Sequence, residues 1–300
     1  MSLRIVEWQD FLESTVGEES AVTVGVFDGV HLGHRELIDR IVRRGPNPTV
    51  VTFRENPKKV VSPGSYEGDI FSLKQKLAIF EWLGVKRAVL IDFSEKFSKL
   101  RGCEFLDLLC GRGKMVFLAI GSNFRCGYGQ DTDAALLREM NERKGIPTEV
   151  VPQVLLPEAS GDEPVSSSRI RSAIMKGDLA LASALMGRNV ELDISDLWSA
   201  DGGDMDSTHS MSDAVVYDFR SVRRIVPPSG RYAVRIHPGA VDGWVDTKNG
   251  KVFLPGKWSK GAESLEFQNS ASPAGALRDF VPRESGRIAE PESGRSSGIH

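Results

Sequence analysis

Between residue 21 and about residue 187, short apolar runs alternate with stretches whose apolar positions recur every three and four residues. The runs at 21–27, 48–53, 86–93, 114–120 and 148–151 predict strands, and the stretches at 34–44, 73–83, 103–110 and 134–143 predict helices between them. Repeated βα units of this kind predict an α/β protein with a Rossmann-like, doubly wound, mostly parallel sheet. Their crossovers are right-handed, and ligands bind at the carboxyl ends of the strands. Two more helices, at 166–176 and 178–186, close this part of the chain.

The pattern then changes. Residues 195–213 are dense in Asp, Gly and Ser, which is linker composition. Beyond them, short β-like runs at 214–219, 232–237, 243–247, 251–254 and 264–267 are separated by Pro and Gly, predicting a small antiparallel barrel or sandwich. From about Asn269 the chain is polar and aperiodic and reads as a mobile tail. The expected organisation is a main α/β domain over 1–190, a linker over 191–212, a small, mainly-β module over 213–268 and a tail over 269–300.

Composition adds mostly exclusions. Of 300 residues, 40% are apolar and 26% charged, an ordinary globular balance. A net charge of −3 supplies no basic field to draw the chain onto nucleic acid or an anionic membrane, so any phosphate must be held locally. Residues 1–10 carry charges where a signal peptide needs an apolar run, and no stretch reaches membrane-spanning length. The expectation is a cytoplasmic protein with neither a nucleic-acid nor a membrane partner. Cys103, Cys110 and Cys126 form no close pair, which suits reduced thiols better than a disulfide framework or a zinc site.

The chemistry concentrates where the run 21–27 passes into Asp28-Gly-Val-His31-Leu-Gly33-His34 and then a helix. A helix that starts at the end of a parallel strand aims unpaired N–H groups and its positive dipole end into the ligand crevice, where a polyphosphate is favoured. Gly33 removes a side chain that would obstruct close approach. His31 and His34, three apart, can donate hydrogen bonds to one phosphate group. Such donors stabilise the charge that grows on the α-phosphate and the departing pyrophosphate during nucleotidyl transfer. The competing readings are two surface histidines or a metal pair, for which no third ligand lies nearby. A second cluster, Ser166-Ser167-Ser168-Arg169-Ile170-Arg171, also opens a helix: its hydroxyls either cap that helix or meet a phosphate, with Arg171 supplying a guanidinium.

Over roughly residues 21–190 these motifs resemble the bacterial bifunctional riboflavin kinase/FMN adenylyltransferases, or FAD synthetases, within the HxGH nucleotidyltransferase superfamily. Gly25-Val-Phe27-Asp28-Gly-Val-His31-Leu-Gly33-His34 is similar to the family's FDGVHLGH stretch. Thr52-Phe53 stands at its TF loop, and Gly121-Ser-Asn123-Phe124-Arg125-Cys126-Gly127 resembles its G-x-(D/N)-F-R-F-G. Residues 166–171 are similar to SST-x-IR, and 184–188 to the LLGR that closes the transferase domain. The resemblance implies that Gly25, Phe27, Asp28, His31, Gly33, His34, Ser167, Ser168 and Arg171 form the ATP site, with His31, His34, Asn123 and Arg171 in the catalytic set. It further implies that Thr52, Phe53, Phe124 and Arg125 face FMN, that Mg2+ bridges the ATP phosphates without a protein metal site, and that the products are FAD and pyrophosphate.

Departures from the family pattern bear mainly on the acceptor. Glu55 and Asn56 replace loop residues of the family, and Cys126 replaces an aromatic that would stack near the flavin ring. After Arg188 the chain lacks the G-x-P-T-A-N signature of the riboflavin kinase domain, although the stretch 227–234 is similar to part of that barrel. The expectation is therefore no kinase activity. Two alternatives stay open: a nucleotidyltransferase for another phosphorylated acceptor, such as nicotinamide mononucleotide or phosphopantetheine, and a non-catalytic flavin- or nucleotide-binding regulator.

Overall fold

In a computed structural model, which describes residues 2–13, 17–157, 161–197, 199–201 and 214–268, the main domain is built on a six-stranded sheet. Its elements are β1 (Arg4–Glu7), α1 (Trp8–Glu13), β2 (Ser20–Val24), α2 (Leu32–Arg44), β3 (Thr49–Phe53), α3 (Leu73–Trp82), β4 (Arg87–Ile91), α4 (Gly102–Gly111), β5 (Met115–Gly121), α5 (Ala134–Arg143) and β6 (Thr148–Val151). Two further helices, α6 (Ser167–Lys176) and α7 (Leu179–Met186), follow. The strand order is β1-β4-β3-β2-β5-β6, and every neighbouring pair is parallel. From the central β2 the chain winds outward through β3 and β4 on one side and β5 and β6 on the other. The switch point therefore lies between β2 and β5, where the carboxyl ends open a crevice.

The strands read as unbroken apolar runs because both sheet faces are covered. On one face Ala21, Val50, Ala88, Phe117 and Ala119 pack with Leu37, Ile38 and Ile41 of α2, Phe80 of α3 and Ile170 and Ile174 of α6. On the other, Val22, Val51, Val89, Leu118 and Ile120 meet Phe11 of α1, Leu106 and Leu109 of α4 and Leu137 of α5. Helix starts are set locally. Ser72 and Gln75 form a reciprocal capping box on α3, and Asp133, Ser166 and Asp178 cap α5, α6 and α7. Helices α6 and α7 end on Gly177 and Gly187 with φ of 79° and 69°, the left-handed ends that glycine adopts without cost.

The second sheet is antiparallel and seven-stranded, ordered β7-β13-β10-β11-β12-β9-β8. Its strands are β7 (Glu191–Asp193), β8 (Ser199–Asp201), β9 (Ala214–Asp218), β10 (Gly230–His237), β11 (Val241–Lys248), β12 (Lys251–Pro255) and β13 (Ser264–Phe267). Glu191–Asp193 and Ser199–Asp201 fall in the stretch expected as a linker, yet they pair with β13 and β9. Leu192 and Ile194 point into the core, an apolar alternation too short to stand out beside an Asp-rich stretch. The remainder of that stretch and the expected tail lie outside the described residues.

The two sheets share one core. Phe219, Ile225, Val234 and Leu265 belong to the same cluster of buried side chains as Phe71, Ile170 and Met186. Polar ties cross the seam as well: Asp69 N–H donates to the Arg223 carbonyl at 2.9 Å, Ile225 N–H donates to the Asp69 carbonyl at 3.0 Å, and Ser72 Oγ reaches Asp193 Oδ2 at 2.5 Å.

Candidate active site

The turn after β2 is an unusual piece of backbone. Phe27 and Val30 have φ of 54° and 33°, in the left-handed region that side-chain-bearing residues avoid, and Gly29 between them has φ of 77°. Such conformations cost on the order of 1–3 kcal/mol each and persist only where the surroundings hold them. Phe27 is held by burial and by edge contacts with Phe80 and His34 at 5.5 and 5.0 Å. A side chain at Gly25 would press on the Phe27 ring at 3.1 Å, so glycine there makes room for the aromatic.

The turn delivers His31 as the N-cap of α2, in extended backbone, with its Nδ1 accepting from His34 N–H at 3.4 Å. With Nδ1 accepting, the neutral ring carries its proton on Nε2. The two imidazoles stack, with centroids 3.6 Å apart and planes 19° apart. A Cβ on Gly33 would touch the His31 ring at 3.3 Å, so this glycine serves the imidazole directly as well as leaving the helix start open. Burial, reinforced by the Arg188 charge, drops the His31 imidazole to about 4. Burial, the neighbouring imidazole and the charges of Arg188 and Lys76 put His34 well below its ordinary value. Both rings are neutral near pH 7, and His34 Nδ1 is buried with no hydrogen-bond partner among the described residues. A buried polar atom left unpaired costs stability and calls for a partner such as an ordered water or ion.

The serine cluster meets this turn. Ser166 is the cap of α6, accepting from Arg169 N–H at 3.3 Å, while Ser167 Oγ donates to the Asp28 carbonyl at 2.8 Å and Ser168 is exposed. Two expected ligands of ATP have other duties. Arg171 is buried, pairs with the Asp28 carboxylate and donates through Nε to the Gly68 carbonyl at 2.8 Å. Asp28 also accepts from Ile70 and Phe71 N–H at 3.0 and 3.3 Å. The pair ties α6, the turn and the 68–71 segment together, and neither charge faces open crevice.

The expected acceptor residues divide in the same way. Thr52 is fully buried and donates to the Val26 carbonyl at 3.1 Å, so its hydroxyl is spent on the strand ends. Phe53, the last residue of β3, is half-buried in an aromatic group with Phe93 and Phe97, centroids 6.0 and 5.9 Å away. Asn123 and Arg125 are exposed at the end of β5, with Phe124 and Cys126 packed behind them. Gly127, at φ 83°, anchors this loop.

The roles of two cations escaped the reading of the sequence. Lys76 is buried, its Nζ donating to the Phe53 carbonyl at 2.8 Å and Thr52 Oγ1 at 3.3 Å, and burial lowers it to about 8. Its one signal is position: it lies on the buried stripe of α3 with Ile79 and Phe80. Arg188 donates from Nη1 to the Val30 carbonyl at 3.0 Å and from Nη2 to the Gly29 carbonyl, and its guanidinium lies 4.8 Å from the centre of the Phe71 ring. Its sequence signal is its place at the end of the 184–188 stretch, which marks a domain end and gives the guanidinium no role.

Among the described residues no group of three His, Cys, Asp or Glu converges, and the Asp28 carboxylate is taken by Arg171 and two amides. No helix among the described residues is long and apolar enough to cross a membrane.

A histidine pair at the start of α2, the helix that follows the central strand of a parallel sheet beside the switch point, places the chain in the fold class of the HxGH nucleotidyltransferases. The model of the FAD synthetase family matches residues 13–169, more than half of the chain, and the chain belongs to that family. It is 29% identical over 175 residues to the bifunctional riboflavin kinase/FMN adenylyltransferase of Escherichia coli (strain K12), covering 57% of this chain and 55% of the relative. Against the Bacillus subtilis (strain 168) protein of the same name it is 28% identical over 176 residues, covering 57% and 54%. The match thus spans a little over half the length of these relatives. A solved structure titled as a macrolide-efflux protein from Streptococcus pneumoniae shares the fold, with a TM-score of 0.64 at 21% identity over 90% of this chain and 86% of that one.

Proposed function

We propose that the protein transfers the adenylyl group of ATP to FMN, releasing FAD and pyrophosphate, and that it lacks riboflavin kinase activity. The observation that carries the reading is the meeting of two helix starts, those of α2 and α6, at the switch point through Ser167 and Asp28, with a neutral histidine pair on one of them.

ATP, entering as its Mg2+ complex, lays its phosphates against the N-terminus of α2, where backbone N–H groups and the imidazoles of His31 and His34 donate to them. An oxygen of the FMN phosphate attacks the α-phosphorus. The new P–O bond forms as the bond from that phosphorus to the oxygen bridging to the β-phosphate breaks, and the electron pair leaves with pyrophosphate. Neutral imidazoles suit this step, each presenting an N–H to the growing charge without a proton to lose at pH 7. Ser168 and the start of α6 meet the outer phosphates. Asn123 and Arg125 orient the incoming phosphate, and Phe53 and Phe124 supply apolar surface to the flavin. In place of the direct contact expected from the sequence, Arg171 and Asp28 keep the two helix starts in register.

The test offers riboflavin or FMN in turn to the purified protein with Mg2+ and ATP and separates the products by chromatography. FAD from FMN and no FMN from riboflavin is the expected result. Phosphorylation of riboflavin would overturn the loss of kinase activity, and transfer only to another phosphorylated acceptor would overturn the choice of FMN.

A further inference from the structure

Arg188 occupies the joint between the two modules, directly after the left-handed Gly187 that ends α7 and three residues before β7 begins. From there its guanidinium reaches back to the carbonyls of Gly29 and Val30 and, at 3.3 Å, to that of Met186. These two turn residues have positive φ, and Val30 is β-branched and fully buried, so the backbone there would relax without an external hold. The next residue is His31. The fork of Arg188, unlike a lysine ammonium, can engage two carbonyls in one fixed geometry. The Phe71 ring lies beneath it and the Glu191 side chain of β7 favours its charge, while the like charge of Arg35 on α2 opposes it.

We propose that Arg188 is a positioning residue for the transferase reaction: by clamping the Gly29 and Val30 carbonyls from the joint between the modules, it sets the turn that presents His31 and His34. The proposal rests on the adenylyl-transfer reading for its kinetic consequence but not for its geometric one. It also gives the β module a part in the reaction without any chemistry of its own, because the joint carrying Arg188 is anchored where Glu191–Asp193 pairs with β13. The charged groups acting on the histidine pair come from two elements, Arg188 at the joint and Lys76 on α3. Burial does most to keep both rings neutral, Arg188 adds to it at both and Lys76 at His34 alone, so removing the Arg188 charge moves both rings toward ordinary titration.

The test uses the full chain and two variants, Arg188→Met, which keeps length without donors or charge, and Arg188→Lys, which keeps charge without the fork. The five histidines of the chain are few enough to follow individually by nitrogen-detected NMR titration. In Arg188→Met both imidazole midpoints rise, the acid limb of the pH–kcat profile moves up with them, and kcat falls about 100-fold while KM for ATP changes less than about threefold, the pattern of a displaced catalytic group. In Arg188→Lys the midpoints stay low and kcat falls about tenfold. A folded Arg188→Met with unmoved midpoints and unchanged kcat would overturn the proposal. Should Arg188→Met not fold, unchanged kcat in Arg188→Lys would overturn it equally, since the fork would then be dispensable. A parent protein that transfers no adenylyl group, in which Arg188→Met still shifts both midpoints, would sink the transferase reading and support the clamp.

Discussion

Ser167 and Asp28, 139 residues apart in sequence, are joined by a 2.8 Å hydrogen bond from the serine hydroxyl to the aspartate main-chain carbonyl. The bond holds the starts of α2 and α6 together across the end of the sheet. A single neutral bond contributes about 1 kcal/mol. Ser167→Ala should therefore lower the unfolding free energy by that amount, read as a lower urea midpoint at unchanged m-value, whereas Ser167→Thr, which keeps the hydroxyl, should stay within about 0.5 kcal/mol of the parent.

The Asp28–Arg171 pair beside it is buried on both sides. Breaking such a pair from one side strands the other charge and costs about 3–5 kcal/mol. Asp28→Ala and Arg171→Met should each destabilise by about that much, while the double variant should be more stable than the sum of the two losses. A thermodynamic cycle from denaturant curves measures this, and additive losses would show that the pairing has no energetic content.

Acid should loosen the site before it unfolds the remainder. The His31 imidazole sits at about 4 in the folded protein and near 6.5 in an unfolded chain. Between those values the unfolded chain binds more protons, so the stability held by the neutral ring is complete above pH 6.5 and is lost as pH falls toward 4. The loss is on the order of 3 kcal/mol. His237 works in the opposite sense: its hydrogen bond with Glu266, 3.0 Å long, raises it, so its contribution is complete below 6.5 and fades as pH rises through the higher folded value. Chemical denaturation of His31→Gln should show a flatter stability curve between pH 4 and 6.5, and that of His237→Gln a flatter one on the alkaline side.

The loop proposed to meet the acceptor depends on Gly127, whose φ is 83°. A Cβ there would run into the Asp131 carboxylate and the Gly102 amide, which are bonded to each other at 3.0 Å. Gly127→Ala should cost about 1–3 kcal/mol locally. Calorimetry should show weakened FMN binding with ATP binding unchanged, and an equal effect on both ligands would place the loop elsewhere in the reaction.

Much of the fold was legible because its signals are local. The strands at 48–53 and 148–151 and the helix at 134–143 announced themselves by period and by cap, and Asp133 and Ser166 stand where helix starts need them. The edge strand β1 and helix α1 were not foreseen: β1 is four residues long with one buried, and only pairing with β4 makes it a strand. Around the crevice, the sequence identified the histidine turn and the serine helix start, whose residue types and spacing carry their own chemistry. It could not show that Arg171 and Thr52 face inward, since both look like ligands until their neighbours are known. It marked Arg188 only as the end of the 184–188 stretch and could not show its role, since the turn carbonyls it meets lie 158 and 159 residues away.

Cys126 stands where the family pattern has an aromatic ring, and its consequence reaches beyond shape. Burial, with Asp131 nearby, pushes the thiol up to about 12, so almost none of it is thiolate at neutral pH. The sulfur is therefore a poor nucleophile toward alkylating reagents and a poor target for peroxide. The position that gives up stacking surface acquires no reactive handle in exchange: it is a small, chemically quiet filler in a loop whose recognition must come from its neighbours.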